Sequence, residues 1–128
     1  MKTKLLAAAA AAFLAVGGCF TPSPASADFK DGNELLAKCT TEKSDSVYYQ
    51  NTAYCIAYIA GAVDMFTTWQ MVGKAPQCMP DNATAGQIRD VVVKYLQDHP
   101  TKRAEPGSLL VASALLEGFN CKLTAKAQ

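Results

Sequence analysis

Residues 47–72 read VYYQNTAYCIAYIAGAVDMFTTWQMV. The stretch is apolar over most of its length, is too long for a strand and contains no proline, so it predicts one long helix. Ala53, Ala57 and Gly61 recur at every fourth position and would share one face, where small side chains allow a second helix to pack closely. A helix with this pattern is typically central and covered on several sides. Large side chains that would fill gaps between neighbouring helices lie beside that face: Tyr54, Tyr58, Met65, Phe66 and Trp69.

The amino terminus has the features of an export signal. Lys2 and Lys4 precede an apolar run over residues 5–16, and the small residues 25–27 resemble a cleavage site. The apolar run is shorter than the ~20 residues that a membrane-spanning helix needs. The pattern therefore predicts a signal peptide over residues 1–27 and a single mature domain over residues 28–128, exported to the periplasm.

A second processing route is left open by residues 16–19, which read VGGC. They resemble the lipobox of bacterial lipoproteins, in which cleavage before Cys19 leaves a lipid-modified cysteine at the new amino terminus. Cys19 directly follows the apolar run, but Val16 stands where the motif has Leu. This route would anchor the domain through its lipid, and it also places the chain outside the cytoplasm.

Two helices are predicted from the capping signals of the amino-terminal half. The first spans about residues 32–38, with Asp31 as its cap and Glu34 in the capping-box position. The long central helix is expected to begin with a cap among residues 44–46 and to end at Gly73.

Two more helices are predicted in the carboxy-terminal half. Thr84 and Gln87 form a capping box ahead of a third helix. Its apolar positions recur at helical spacing: Ile88, Val91, Val92, Tyr95 and Leu96. A last helix spans about residues 106–119, with one apolar stripe made of Leu109, Ala112, Leu116 and Phe119 and with Val111 and Leu115 beside it. The sequence thus predicts a small all-α, disulfide-bonded domain of four helices built around one long central helix.

Four cysteines in the predicted mature domain indicate two disulfides, since even numbers of cysteines in exported chains normally pair. Short connections make successive helices antiparallel. Cys78 precedes the third helix and Cys121 follows the fourth, so these ends would meet. That pairing leaves Cys39 to bond Cys55 and to tie the first helix to the central one.

Composition argues against several classes of function. Lys2 and Lys4 are two of the twelve basic residues, which leaves ten against eleven acidic residues in the predicted mature domain. The sequence contains no basic patch of the kind that indicates nucleic-acid binding. The cysteines contain no closely spaced pair of the kind that holds zinc, so neither a metal nor another cofactor is expected. His99, the only histidine, lies at a helix end, where a positive charge is favourable without any catalytic role.

Asp64 is the one carboxylate in the most apolar part of the central helix. A buried carboxylate must find hydrogen-bond donors, which would make Asp64 a contact residue or a residue that specifies the fold. The alternative is that Asp64 points to water. The sequence leaves both interpretations open.

The order of these features resembles a known family. The segments that carry the resemblance are residues 55–64 (CIAYIAGAVD), 78–80 (CMP), 83–88 (ATAGQI), 91–96 (VVVKYL) and 119–121 (FNC), with His99-Pro100 between the last two. They are similar to the Rap/Tai group of exported immunity proteins, which protect bacteria from amidase toxins of type VI secretion. The resemblance implies a helical periplasmic protein that binds a cell-wall amidase and blocks its active site, with Tyr58, Gly61 and Asp64 in the family motif.

Two functional hypotheses follow. The first is a binding inhibitor, not an enzyme, whose partner contacts would come from the turn at residues 101–105 and from Tyr48, Tyr49, Trp69 and Met71. The second is a periplasmic stress or chaperone module of the small helical HdeA type, for which one histidine and a near-neutral charge are weak support. The sequence leaves open whether the protein forms a homodimer.

Overall fold

A computed structural model describes residues 30–77 and 79–121 of the chain. This part folds into four helices, α1 (Gly32–Cys39), α2 (Tyr48–Val72), α3 (Ala85–Asp98) and α4 (Gly107–Gly118), with a short 3-10 helix at Pro100–Lys102. Its only β-type pairing is an isolated bridge between Asp31 and Pro106. The predicted all-α domain around one long helix is confirmed. The predicted signal peptide, with Cys19 inside it, and Cys78 lie outside the described residues.

The starts of α1 and α3 follow the capping signals in the sequence. At α1, the Asp31 carboxylate accepts a hydrogen bond from the Glu34 amide at 2.9 Å. At α3, the Gln87 amide donates to the Thr84 hydroxyl at 3.3 Å, while the Thr84 amide donates to the Gln87 side chain at 2.8 Å. Both caps satisfy backbone N–H groups that a helix start leaves unpaired.

The start of α2 differs from the prediction of a cap at residues 44–46. The N-cap residue is Val47, which makes no side-chain capping bond. The Asp45 carboxylate accepts a hydrogen bond from the Val47 amide at 3.0 Å, so Asp45 stabilises the turn before the helix rather than the helix start itself. The predicted end is confirmed, because Gly73 is the C-cap residue of α2.

All four helices contribute to one hydrophobic core. Leu35 of α1, Cys55 of α2, Val92 of α3 and Leu110 of α4 are each completely buried. The remaining buried hydrophobic side chains are Ile59, Val63, Phe66, Ile88, Tyr95, Leu96, Val111, Ala114 and Leu115. Contacts join every pair of helices among α1, α2, α3 and α4 within the described part, so no helix is peripheral to the core.

The buried face of α4 agrees with the prediction only in part, because Val111 and Leu115, expected beside the apolar stripe, are fully buried and the stripe itself is not. Leu109 is 52% exposed, and the other members of the predicted stripe, Ala112, Leu116 and Phe119, are only partly buried. The residues that face the core are Leu110, Val111, Ala114 and Leu115. The polar side chains of α4 are Ser108, Ser113 and Glu117, and three polar residues do not form a side that would fix the orientation of the helix.

The predicted packing of a second helix on the small-residue face of α2 is also wrong. Ala53, Ala57 and Gly61 are all exposed, and nothing within the described structure lies within 4 Å of the position that a Cβ atom would take on Gly61. The core contacts of α2 come from the opposite side, through Cys55, Ile59, Val63, Phe66 and Gln70. The large side chains of α2, rather than its small ones, therefore determine which side is buried.

The predicted disulfide between Cys39 and Cys55 is confirmed, with an S–S distance of 2.01 Å. It joins the last residue of α1 to the first turns of α2. Cys121 is disulfide-bonded as well. Its predicted partner, Cys78, is not among the described residues, so the second pairing stays a prediction.

Two glycines in helices provide a matched stability test. A Cβ atom on Gly107 would lie 2.8 Å from the Lys30 carbonyl oxygen and 2.9 Å from the Tyr58 hydroxyl, whereas one on Gly61 would meet nothing. We expect Gly107→Ala to lower the free energy of unfolding by about 1–3 kcal/mol through overpacking. We expect Gly61→Ala to raise it by about 1 kcal/mol, because alanine favours helix more than glycine does. Urea denaturation of both variants checks the prediction, and equal effects at the two positions would contradict it.

Candidate functional site

The outward side of α2 is the most unusual surface of the described structure. We call it the outer face of α2 and define it by its exposed residues Ala53, Ala57, Ala60, Gly61, Asp64, Met65, Thr68 and Val72. Met65 is 72% exposed and Val72 is 79% exposed. The helix is 25 residues long, or about 37 Å, and Asp64 is its only charged residue. A surface helix normally carries its charged residues on the side that faces water, so this face has the composition of a contact surface.

The four predicted contact residues lie at opposite ends of α2. Tyr48 and Tyr49 begin the helix, and their rings make an edge-to-face contact at 5.3 Å. Trp69 and Met71 lie in its last turn, about 30 Å away. Tyr49 is 84% exposed, and Trp69 and Met71 are exposed too, but Tyr48 is partly buried. The structure does not bring these residues together at one point, although they flank the outer face of α2 at its two ends.

The three residues of the suspected family motif divide between two environments. Tyr58 is partly buried, stacks on Tyr54 with ring centroids 6.1 Å apart, and places its hydroxyl against Gly107 at the start of α4. Gly61 and Asp64 lie on the exposed side of the helix. Of the two interpretations of Asp64, its exposure agrees with the one in which the carboxylate points to water.

A groove runs beside the outer face of α2, between that helix and the first turn of α3. It has a volume of about 140 Å³ and is partly open to solvent. Its walls are apolar apart from Asp64, and the residues that line it are Ile56, Ile59, Ala60, Val63, Asp64, Ala85 and Ile88. Sequence reasoning missed this groove, because only the packing of α3 against α2 brings Ala85 and Ile88 close to Asp64.

Polar groups at both ends of the groove's α3 wall already have partners within α3 and its cap. At the start of α3, the Thr84 and Gln87 amides each donate to the other residue's side chain. Arg89, which follows Ile88, pairs with the neighbouring Asp90 carboxylate at 2.6 Å. Asp64 is the one charged residue that lines the groove. Among the described residues, no Lys, Arg or His forms an ion pair with it.

The predicted contact turn and the only histidine are held by structural interactions. In the turn at residues 101–105, the backbone N–H of Arg103 donates to the Pro100 carbonyl. The Arg103 side chain donates to the Gln97 carbonyl at 3.1 Å. The His99 ring stacks on Tyr95 with centroids 4.2 Å apart, and its Nε2 atom lies 3.8 Å from the Glu117 carboxylate. The Arg103 and Tyr95 contacts lie within α3 and the turn that follows it, and the Glu117 contact places His99 next to α4.

Within residues 30–77 and 79–121, no three His, Cys, Asp or Glu side chains are grouped so that they could hold a metal ion. None of the helices in the same part of the chain is both long and apolar enough to cross a membrane.

Comparison with known proteins identifies the family. The model of the Rap1a immunity proteins matches residues 31–121 of the chain. The match begins at the Asp31 cap of α1, ends at Cys121 after α4, and includes all four helices and the Cys39–Cys55 disulfide. No curated protein sequence and no solved structure matches the chain. Since the family model covers well over half of the sequence, the chain belongs to the Rap1a immunity protein family.

Proposed function

We propose that the protein is an exported immunity protein that binds a peptidoglycan amidase effector of type VI secretion and blocks it without catalysing a reaction. Membership of the Rap1a immunity family carries this proposal, because immunity proteins act by binding a secreted effector. The outer face of α2 supports it, since this 25-residue helix carries a single charge and its exposed, mostly uncharged side suits a protein contact.

We also propose that the protein acts in the periplasm. The leader pattern of residues 1–27 favours export. The Cys39–Cys55 disulfide agrees with an oxidising compartment, because such bonds are rare in the cytoplasm. Lipid attachment at Cys19 would keep the same domain in that compartment, tethered by the intervening segment.

Protection of a bacterial host tests both parts of the proposal. The amidase effectors of type VI secretion encoded in the same genome are each sent to the periplasm of a host that carries the full chain or a version without residues 1–27. We expect the full chain to restore growth against one of them and the leaderless version to fail, because the leaderless protein cannot meet the enzyme.

The two parts of the proposal fail in different ways in this experiment. Equal protection by both versions would contradict periplasmic action. Absence of protection against every amidase, with the full chain recovered intact from the periplasm, would contradict amidase immunity. Sedimentation of the purified protein at several concentrations tests separately whether it forms a homodimer.

A further inference from the structure

The fold does not require a glycine at position 61. Gly61 has a negative φ, lies in the middle of α2, and has no neighbour within 4 Å of its absent side chain. Glycine in a helix interior costs about 1 kcal/mol relative to alanine, so the isolated chain would be more stable without it. What a glycine offers in this position is close approach of another backbone from outside the chain.

The groove next to Gly61 has room for one side chain. Its volume of about 140 Å³ is close to that of a cavity that holds a single benzene molecule, about 150 Å³. Apart from Asp64, its walls are aliphatic side chains of α2 and α3, so its polarity suits either a ring or an unbranched carbon chain. A whole helix or strand would not enter it.

The negative charge in the groove favours a side chain that carries a positive charge. Asp64 contributes a carboxylate to an otherwise apolar lining, and no cation of the described chain neutralises it. A second carboxylate would be repelled by Asp64, and the Thr84 and Gln87 amides at the start of α3 are already bonded to each other's side chains. Arginine and lysine match both features, because their carbon chains lie along apolar walls while their charged heads pair with a carboxylate.

We propose that the outer face of α2 is the surface on which the effector docks, with closest approach at Gly61 and with an arginine or lysine side chain of the effector in the groove, paired to Asp64. This inference rests on the proposed function and specifies the surface that carries it. The small residues Ala57 and Ala60, in the turn before Gly61, extend the region of close approach.

Affinity measurements with the effector test the docking surface. We expect Asp64→Lys to weaken binding by about 30-fold or more, because it replaces an attractive pair with a repulsive one. Gly61→Leu is expected to weaken binding by at least about tenfold, since its side chain would hold the partner away from the helix. Glu42→Lys makes the same change of charge in the α1–α2 connection, and Ala37→Leu places the same leucine side chain at an exposed position of α1. Both control variants should bind like the wild type.

The outcomes separate this inference from the proposed function. If the wild type binds and inhibits the amidase but Asp64→Lys and Gly61→Leu bind equally well, the docking surface is wrong and the proposed function stands. If the wild type binds none of the amidases, the proposed function fails and the docking surface falls with it. If Gly61→Leu instead converts a wild-type dimer into a monomer, the outer face of α2 joins two copies of this chain, and the inference is overturned.

A small cation tests the groove without any effector. n-Butylguanidinium carries the head group and carbon chain of an arginine, and n-butylurea is its neutral counterpart. In NMR titrations we expect the cation alone to shift amide signals of residues 59–64 and 85–88, and this response should disappear in Asp64→Asn. Equal shifts with both compounds, or shifts that persist in Asp64→Asn, would contradict recognition of a cation by Asp64.

Discussion

Leu110→Ala is expected to lower the free energy of unfolding by about 3 kcal/mol, since truncating a buried leucine leaves a cavity in a packed core. Leu110 is completely buried on α4, and a side-chain atom of Leu110 occupies the space next to Gly32 where a Cβ would otherwise lie. The substitution therefore loosens contacts between α4 and α1 as well as removing apolar area from the core. For a domain of this size, such a loss is a large share of the total stability.

The neighbouring residue gives the matched control. Leu109 is 52% exposed, so Leu109→Ala should change the free energy of unfolding by less than about 0.5 kcal/mol. Urea denaturation followed by circular dichroism measures both variants in the same helix with the same chemical change. A larger loss for Leu109→Ala than for Leu110→Ala would mean that α4 packs through its other face, and the described core would be wrong.

Removal of the Cys39–Cys55 disulfide is expected to have an effect of similar size. The bond links residues 16 positions apart and restricts the unfolded chain. A loop of this length corresponds to about 3 kcal/mol in the chain-entropy description. The double variant Cys39→Ala, Cys55→Ala should therefore unfold at a clearly lower denaturant concentration. Alanine is preferred to serine because Cys55 is completely buried, and a hydroxyl there would need a hydrogen-bond partner.

A reducing agent would not isolate this bond, because Cys121 is also disulfide-bonded. The double variant and the wild type are instead compared without reductant, and the wild type with reductant is measured beside them. We expect the reduced wild type to be at least as unstable as the double variant. Unchanged stability in the double variant would contradict a stabilising role for the bond between α1 and α2.

The helices whose faces could be predicted are those with contrast between polar and apolar residues. In α3, four of the five apolar residues predicted at helical spacing are buried, namely Ile88, Val92, Tyr95 and Leu96, and Val91 is partly buried. In α4 apolar residues occupy several sides of the helix, so the predicted stripe is only partly buried against the core, while Val111 and Leu115 beside it are fully buried. In α2, the buried side is the one whose large residues pack into the core shared with the other helices. The sequence of α2 alone does not indicate which side that is.

The candidate site was predictable only in part. Asp64 and Gly61 could be singled out, because a lone charge and a glycine are unusual within a long apolar helix. The groove beside them could not, because its other wall comes from Ala85 and Ile88, at least 20 positions along the chain. Sequence reasoning assigned the small residues of α2 to internal packing, whereas they form an exposed surface. Small side chains permit close approach without indicating whether the neighbour belongs to the same chain.

The central claim is that this member of the Rap1a immunity family acts by binding an effector. The most direct measurement is the rate of peptidoglycan cleavage by the amidase against which the full chain protects, titrated with the protein purified from the periplasm. We expect cleavage to fall in proportion to added protein and to stop near an equimolar ratio. Cleavage that continues at full rate in excess protein would contradict it, as would progressive loss of amidase activity with far less protein than enzyme, which would indicate catalysis.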